Sequence, residues 1–198
     1  MRKLGLVIQD GLLPIFFKLL QQGFVVNAET GCSVKDLLCN QLGVGEDYLQ
    51  NRIQTLFLNG MPVDDVTEAV IPNHATLALS GAMPGLVGAT LRKGGVLAAM
   101  RNTISYSEVQ TSHEHRVARV KIKLFNMILK ELGPLFLGNG VLIPTQKFQD
   151  FLSRHLADLK RACSSVQLDG RHIKAAELES VTWTDPEISL QVKSDRPL

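Results

Sequence analysis

The stretch Ser80 to Gly95, SGAMPGLVGATLRKGG, constrains this chain more than any other. It carries Gly81, Gly85, Gly88, Gly94 and Gly95 in a single run. A flexible linker of that glycine content would be filled out with Ser and charge and would stay solvated. Here the glycines alternate with Ala82, Met83, Leu86, Val87, Ala89 and Leu91, so the backbone is expected to lie close against a neighbour. The stretch also reads as a short helix with stop signals. Pro84 suits a first helical turn, where a missing N–H costs nothing. Arg92 and Lys93 suit the last turn, where cations complement the helix dipole. Gly94 then supplies a left-handed residue to end the helix. On either side lie a strand-and-helix front half and a helix-then-strand rear half. The expected domains are therefore 1–83 and 105–198, with a Gly-rich apolar connector over 84–104.

The length of 198 residues admits one large domain or two small ones. An apolar share of 45% with 20% charged residues is ordinary for a globular core. Charge is nearly balanced, 21 basic against 19 acidic side chains, giving +2. That excludes a strong whole-chain field for nucleic acid or an anionic membrane. The expected partner is another protein, with no membrane and no nucleic acid, and the oligomeric state stays open. The opening residues, MRKLGLVIQDGLLPIFF, superficially resemble a secretory signal. Asp10 interrupts the apolar run, and no small-x-small cleavage pattern precedes Lys18. No uncharged stretch is long enough to cross a bilayer. Cys32, Cys39 and Cys163 are few and odd in number, which points to reduced thiols and a cytoplasmic setting.

In the front half, Leu12–Leu20 reads as a strand and Phe24–Glu29 as its hairpin partner across Gln21-Gln22-Gly23. Ser33 is placed as N-cap of a helix carrying Val34, Leu37, Leu38 and Leu42, with Asp36 at the capping-box position and Gly43 as its end. Cys39 reads as a small buried residue of that helix. Thr55–Leu58 followed by Asn59-Gly60 is a strong hairpin signal. Ala75–Ser80 is a last strand entering the glycine run.

The order hairpin, helix, strand, tight turn, strand resembles the β-grasp, or ubiquitin-like, fold over Leu12 to Ser80. FVVNAETGCSVKDLL is similar to that family's second strand and helix, RIQTLFLNGMPVDD to its strand and turn, and AVIPNHATLALS to its last strand. Sulfur-carrier proteins of molybdopterin and thiamine synthesis share the fold and a similar Asn-Gly turn. The resemblance implies a reactive di-glycine tail, activated as an acyl-adenylate or carrying a thiocarboxylate. The matching position is Gly94-Gly95 in Leu91-Arg92-Lys93-Gly94-Gly95. Val96 follows, so tail chemistry would require proteolysis after Gly95.

In the rear half, Val96–Met100 is apolar and Asn102–His115 is a polar joint. From Arg116, Val117, Val120, Leu124, Met127, Ile128 and Leu132 keep to one helical face, with Gly133-Pro134 as the stop. Leu135–Leu137 and Val141–Ile143 bracket Gly138-Asn139-Gly140 as a hairpin. Pro144-Thr145 opens a second helix striped by Phe148, Phe151, Leu152, His155, Leu156 and Leu159. Val166–Leu168 and Arg171–Ile173 flank the turn Asp169-Gly170. Val181–Thr184 and Ile188–Val192 read as a final strand pair. The expected fold is α+β: an N-terminal β-grasp domain, then a small α+β domain with two helices and antiparallel strands.

Chemistry is sparse. A strand running into Gly81-x3-Gly85-x2-Gly88 and a helix start invites an anion, with Arg92, Lys93 and Arg101 as helpers. The spacing is not that of a dinucleotide fingerprint, and no P-loop Lys-Ser/Thr follows. His113 and His115 flank Glu114, but a zinc site needs at least three protein ligands. His155 reads as a core-edge histidine, Asp64-Asp65 with Glu68 as a solvated turn, and Trp183 as core or interface. The aromatic share of 6% does not interleave with basic residues. The leading expectation is a non-catalytic interaction or scaffold protein, with no cofactor and no metal, whose partner surface is Gly81, Met83, Gly85, Leu86, Gly88, Arg92 and Lys93. The alternatives are a sulfur-carrier or modifier precursor processed after Gly95, and a small-molecule or anion binder at Gly81–Gly95.

Overall fold

A computed structural model describes residues 1–97 and 116–195. In chain order they form β1 (Lys3–Ile8), a 3-10 turn (Asp10–Phe16) running into the one-turn helix α1 (Phe17–Leu20), β2 (Phe24–Thr30), and two π-wound helical segments (Asp36–Gln41 and Tyr48–Arg52). Next come β3 (Thr55–Leu58), β4 (Met61–Pro62), β5 (Thr76–Ser80), α2 (Gly85–Leu91), β6 (Arg116–Leu124), α3 (Met127–Asn139) and β7 (Val141–Pro144). The chain continues with α4 (Thr145–Ala162), β8 (Cys163–Leu168), β9 (Arg171–His172), a 3-10 turn (Ala175–Glu179) and β10 (Glu187–Ser194). The fold is mixed α+β, as expected. Residues gather into two compact units: a terminal unit of Met1–Phe24 with Gly133–Leu198, and a central unit of Val25–Leu132.

In the terminal unit the strands run in the order β7-β10-β1-β8-β9. The apolar run that resembled a signal is β1, whose Leu4, Leu6 and Ile8 turn inward at two-residue spacing. It lies parallel to β10, from Lys3 opposite Ser189 to Ile8 opposite Ser194, and antiparallel to β8. Leu12–Leu20 is not a strand: it is helical throughout. Leu13, Phe16, Leu19 and Leu20 are all buried, and their three- and four-residue steps put them on one helical face. Gly133-Pro134 does not stop α3, and the expected hairpin over 135–143 is absent because α3 continues to Asn139. Phe136 and Leu137 at its end are fully buried, and that burial outweighs the one N–H lost at Pro134. Gly133 admits the ring of Phe17, since a Cβ there would sit 2.9 Å from its Cε1. α4 forms as expected, with Phe148, Phe151, Leu152 and Leu159 inward. Asp169 and Gly170 both take positive φ in the turn between β8 and β9, also as expected. Val181–Thr184 is irregular rather than a strand. Both edges of β10 are taken, by β1 and β7, which leaves that stretch no ladder to join. Trp183 instead meets Phe148 edge-on at 5.1 Å.

In the central unit the order is β4-β3-β5-β6-β2. The Ser33 hydroxyl accepts from the Asp36 N–H at 3.1 Å, and Gly43 at φ 76° closes that helical segment. Cys39 is half-buried rather than buried. Asn59 and Gly60, both at positive φ, make the tight β3–β4 turn that the Asn-Gly pair announces. β3 runs antiparallel to β5, with Leu56 opposite Leu79. The expected helix from Arg116 is a strand as far as Leu124, and α3 begins only at Met127. β6 lies parallel to β5, from Thr76 opposite Lys121 to Leu79 opposite Leu124. Val120, Ile122 and Leu124 are buried while Val117 is 73% exposed, so the true period is two. Asn126 at φ 54° separates strand from helix. Leu37, Leu38, Leu56, Leu58, Leu77 and Leu79 form the core, each contributing about 1.5–3 kcal/mol by burial.

Candidate functional site

The connector residues singled out by sequence lie in the central unit and are held by both backbone and side-chain hydrogen bonds. α2 spans Gly85–Leu91 with Pro84 just before it. Gly85 stands at φ 80° and Gly94 at φ 60°, conformations that favour glycine. Gly88 is the tightest point of the stretch: a Cβ there would run into the carbonyl of Met83, while one at Gly95 would meet the Arg92 carbonyl at 3.2 Å. Arg92 and Lys93 fall past the helix instead of in its last turn, because Arg92 is already extended.

The segment Tyr48–Arg52 is the seat for this connector. The Lys93 N–H donates to the Gln54 carbonyl at 2.8 Å, and the Lys93 Nζ donates to the Leu49 carbonyl at 2.8 Å. Desolvation in this half-buried position holds the Lys93 ammonium below its ordinary pKa. Gly94 donates its N–H to Asp64 Oδ1 at 3.1 Å, and Gly95 donates to the Arg92 carbonyl at 3.1 Å. Asp64, read as part of a solvated turn, is thus an anchor. Asp65 keeps the turn role, accepting from the N–H and hydroxyl of Thr67, which hold its carboxyl below the usual range. Glu68 is exposed.

The same segment carries a charge clamp that sequence reasoning missed. Arg52 donates from Nε and Nη2 to the two carboxylate oxygens of Glu131, and the Tyr48 hydroxyl donates to Glu131 Oε2 at 2.6 Å. These donors pull the Glu131 pKa down to about 2, with Arg52 the larger cause. Burial and the Glu131 carboxylate push the Tyr48 phenol up. Tyr48 and Arg52 lie one helical turn apart, but Glu131 is 79 residues beyond Arg52, so no spacing could have announced the clamp. Nearby, the Thr55 and Ser80 hydroxyls face each other in register, buried and without a hydrogen-bond partner.

With Lys93 engaged by Leu49, only Arg92 of that basic pair is exposed at the connector, and α2 is too short to act as an anion cradle. What the connector presents is apolar: Leu86 is 73% exposed, Val87 69% and Val96 98%. Met83 and Gly81 are half-buried beneath it. His113, Glu114, His115 and Arg101 lie outside the described residues, and among those described no group of three or more His, Cys, Asp or Glu is placed to hold a metal. No helix among them is long and apolar enough to cross a membrane. His155 is a core-edge histidine, its ring tilted 39° to that of Phe151 at 4.8 Å and lying 3.5 Å from an Asp158 oxygen. The Cys32 thiol is pushed up to about 11, first by burial and then by Asp36, which makes it a poor nucleophile.

Among the described residues one Ser–His contact exists, Ser165 Oγ to His172 Nδ1 at 3.4 Å on the β8–β9 hairpin. Gln167 Nε2 lies 3.0 Å from His172 Nε2, and an amide nitrogen only donates. Ser165, Gln167 and His172 thus form a polar row across the β8–β9 hairpin. Comparison with family models, with curated proteins and with solved structures finds no match for this chain.

Proposed function

We propose that this chain is a non-catalytic protein-interaction protein. Its central unit is read as a ubiquitin-like β-grasp in which β6 replaces the hairpin strand expected at Leu12–Leu20. Support for the architecture comes from the parallel pairing of β6 with β5 beside β2, around the helical segment at 34–41. The observation that carries the function is the outward turn of Leu86 and Val87 on a helix whose following residues, Lys93 and Gly94, are tied back by hydrogen bonds to Gln54 and Asp64. An apolar pair held rigidly in solvent is a contact surface, because it presents area without an ordering cost on binding.

A photo-crosslinking side chain at Leu86 or Val87 in the native host tests this. One protein adduct shared by both positions is expected, with none from the exposed Ser153 on α4. Equal labelling at Ser153, or no adduct at either connector position, would remove the reading. Intact mass of the native chain is the second measurement: a chain ending at Gly95 would replace interaction by carrier chemistry at the Gly94-Gly95 tail.

A further inference from the structure

The terminal unit holds an open groove of about 510 Å³ along the start of α4, within the range of about 300–1,000 Å³ usual for small-ligand sites. Its floor is apolar, with Leu19 and Phe151 2% and 5% exposed. Phe151 is held rigid there by Phe16 at 4.8 Å and by His155 at 4.8 Å. Its walls are basic. Lys18, Lys147 and Arg154 line it against one carboxylate, Asp150, which already accepts from Gln146 at 3.0 Å. Lys147 is fixed across the groove by donation to the Leu19 carbonyl at 2.7 Å. Among the described residues Lys18 and Arg154 make no ion pair, although the chain as a whole is close to charge balance with 21 cations and 19 anions. Unpaired cations over a rigid aromatic floor are matched by a ligand with anionic oxygens at one end and a flat apolar body at the other.

We infer that this groove binds a small organic anion, a phosphate or carboxylate carried on a planar apolar group. Arg154 supplies a fork that fits two oxygens of either anion, Lys18 a second charge, and the Pro144 and His155 rings beside Phe151 the surface for the planar part. The site is independent of the connector and of the reading given to it.

Amide NMR titration of the full chain with phenyl phosphate, benzoate, benzyl alcohol and inorganic phosphate tests the inference. Saturable shifts of the Lys147–His155 amides are expected with phenyl phosphate or benzoate. The tighter of the two names the anion class. Benzyl alcohol and inorganic phosphate are each expected to bind roughly tenfold more weakly, since each lacks one half of the match. Lys18→Glu and Arg154→Glu are exposed changes that should each weaken binding roughly tenfold. Asp150→Asn should tighten binding a few-fold, by about the worth of one screened charge, a gain that misfolding cannot mimic. Absence of saturable shifts with both anions overturns the site. So do equal affinity for benzyl alcohol, equal affinity for inorganic phosphate, or unchanged affinity in the double charge reversal.

Discussion

In the terminal unit Phe16, Phe24, Phe136, Phe148 and Phe151 are buried, and their rings meet one another or Trp183; among the described residues of the central unit no phenylalanine is buried. Phe57 there is half-buried and Phe125 is 47% exposed. The central unit is filled instead by Leu, Ile and Val, and the helical segment beside its sheet is tied by the ionic clamp from Tyr48 and Arg52 to Glu131. The difference teaches where each unit is vulnerable. Rings fill a core with few large, directional pieces, so one deletion leaves one large hole. Aliphatic side chains share the volume among many, and charge does part of the tying, so the central unit is sensitive to pH in a way the ring cluster is not.

The largest effect expected is from Phe148→Ala, which removes a fully buried ring that touches both Phe151 and Trp183. It should cost about 3–5 kcal/mol in a denaturant titration followed by fluorescence of Trp183, the chain's single tryptophan. Leu56→Ala in the central unit should cost about 2–5 kcal/mol, read by amide exchange in β3 and β5. A cost for Leu56→Ala well above that for Phe148→Ala would break the contrast. Gly88→Val comes next. Its side chain must displace the Met83 carbonyl, an overpacking of about 1–3 kcal/mol, seen as faster exchange of the amides over 81–95.

Acid sharpens the comparison further. Glu131 has a pKa of about 2 in the folded chain against an ordinary 4.5. A depressed carboxylate stabilises above its unfolded pKa, so this contribution is complete above about pH 4.5 and is lost as pH falls toward 2. Glu131→Gln should flatten that part of the acid-unfolding profile for residues 48–52; an unchanged profile would show that the clamp does not tie the segment. The smallest change is expected from Val87→Ser, a surface substitution worth within about 0.5 kcal/mol. A loss near 2 kcal/mol would mean that Val87 is structural rather than presented to a partner.

Much of the local grammar was legible. The positive φ of Asn59-Gly60 and Asp169-Gly170, the cap at Ser33, the end at Gly43 and the whole of α4 follow from residues within one turn of each other. The misreadings share a cause. Leu12–Leu20 is apolar at nearly every position and Arg116–Leu124 is apolar on two possible periods, so neither stretch states its own geometry. Phe136 and Leu137 carried α3 through Pro134 because burial outweighs one missing hydrogen bond. At the connector, the glycines announced the close approach at Gly88 and the left-handed turn at Gly94, but not the hold of Asp64 and Leu49 on Lys93-Gly94.

Sequence alone therefore determined the mixed α+β class, the turns and caps, and the amphipathic helix along the groove, because each depends on backbone and side-chain preferences acting over a few residues. Tertiary structure alone decided that the N-terminal apolar run is a strand beside β8 and β10, that β6 lies parallel to β5, and that Glu131 answers Arg52 and Tyr48. Those pairings join residues from 45 to more than 180 positions apart, since Ala78 faces Lys123 and Lys3 faces Ser189 with Arg52 reaching Glu131 at a separation of 79. They are chosen by which edges and charges remain unsatisfied once the local elements have formed.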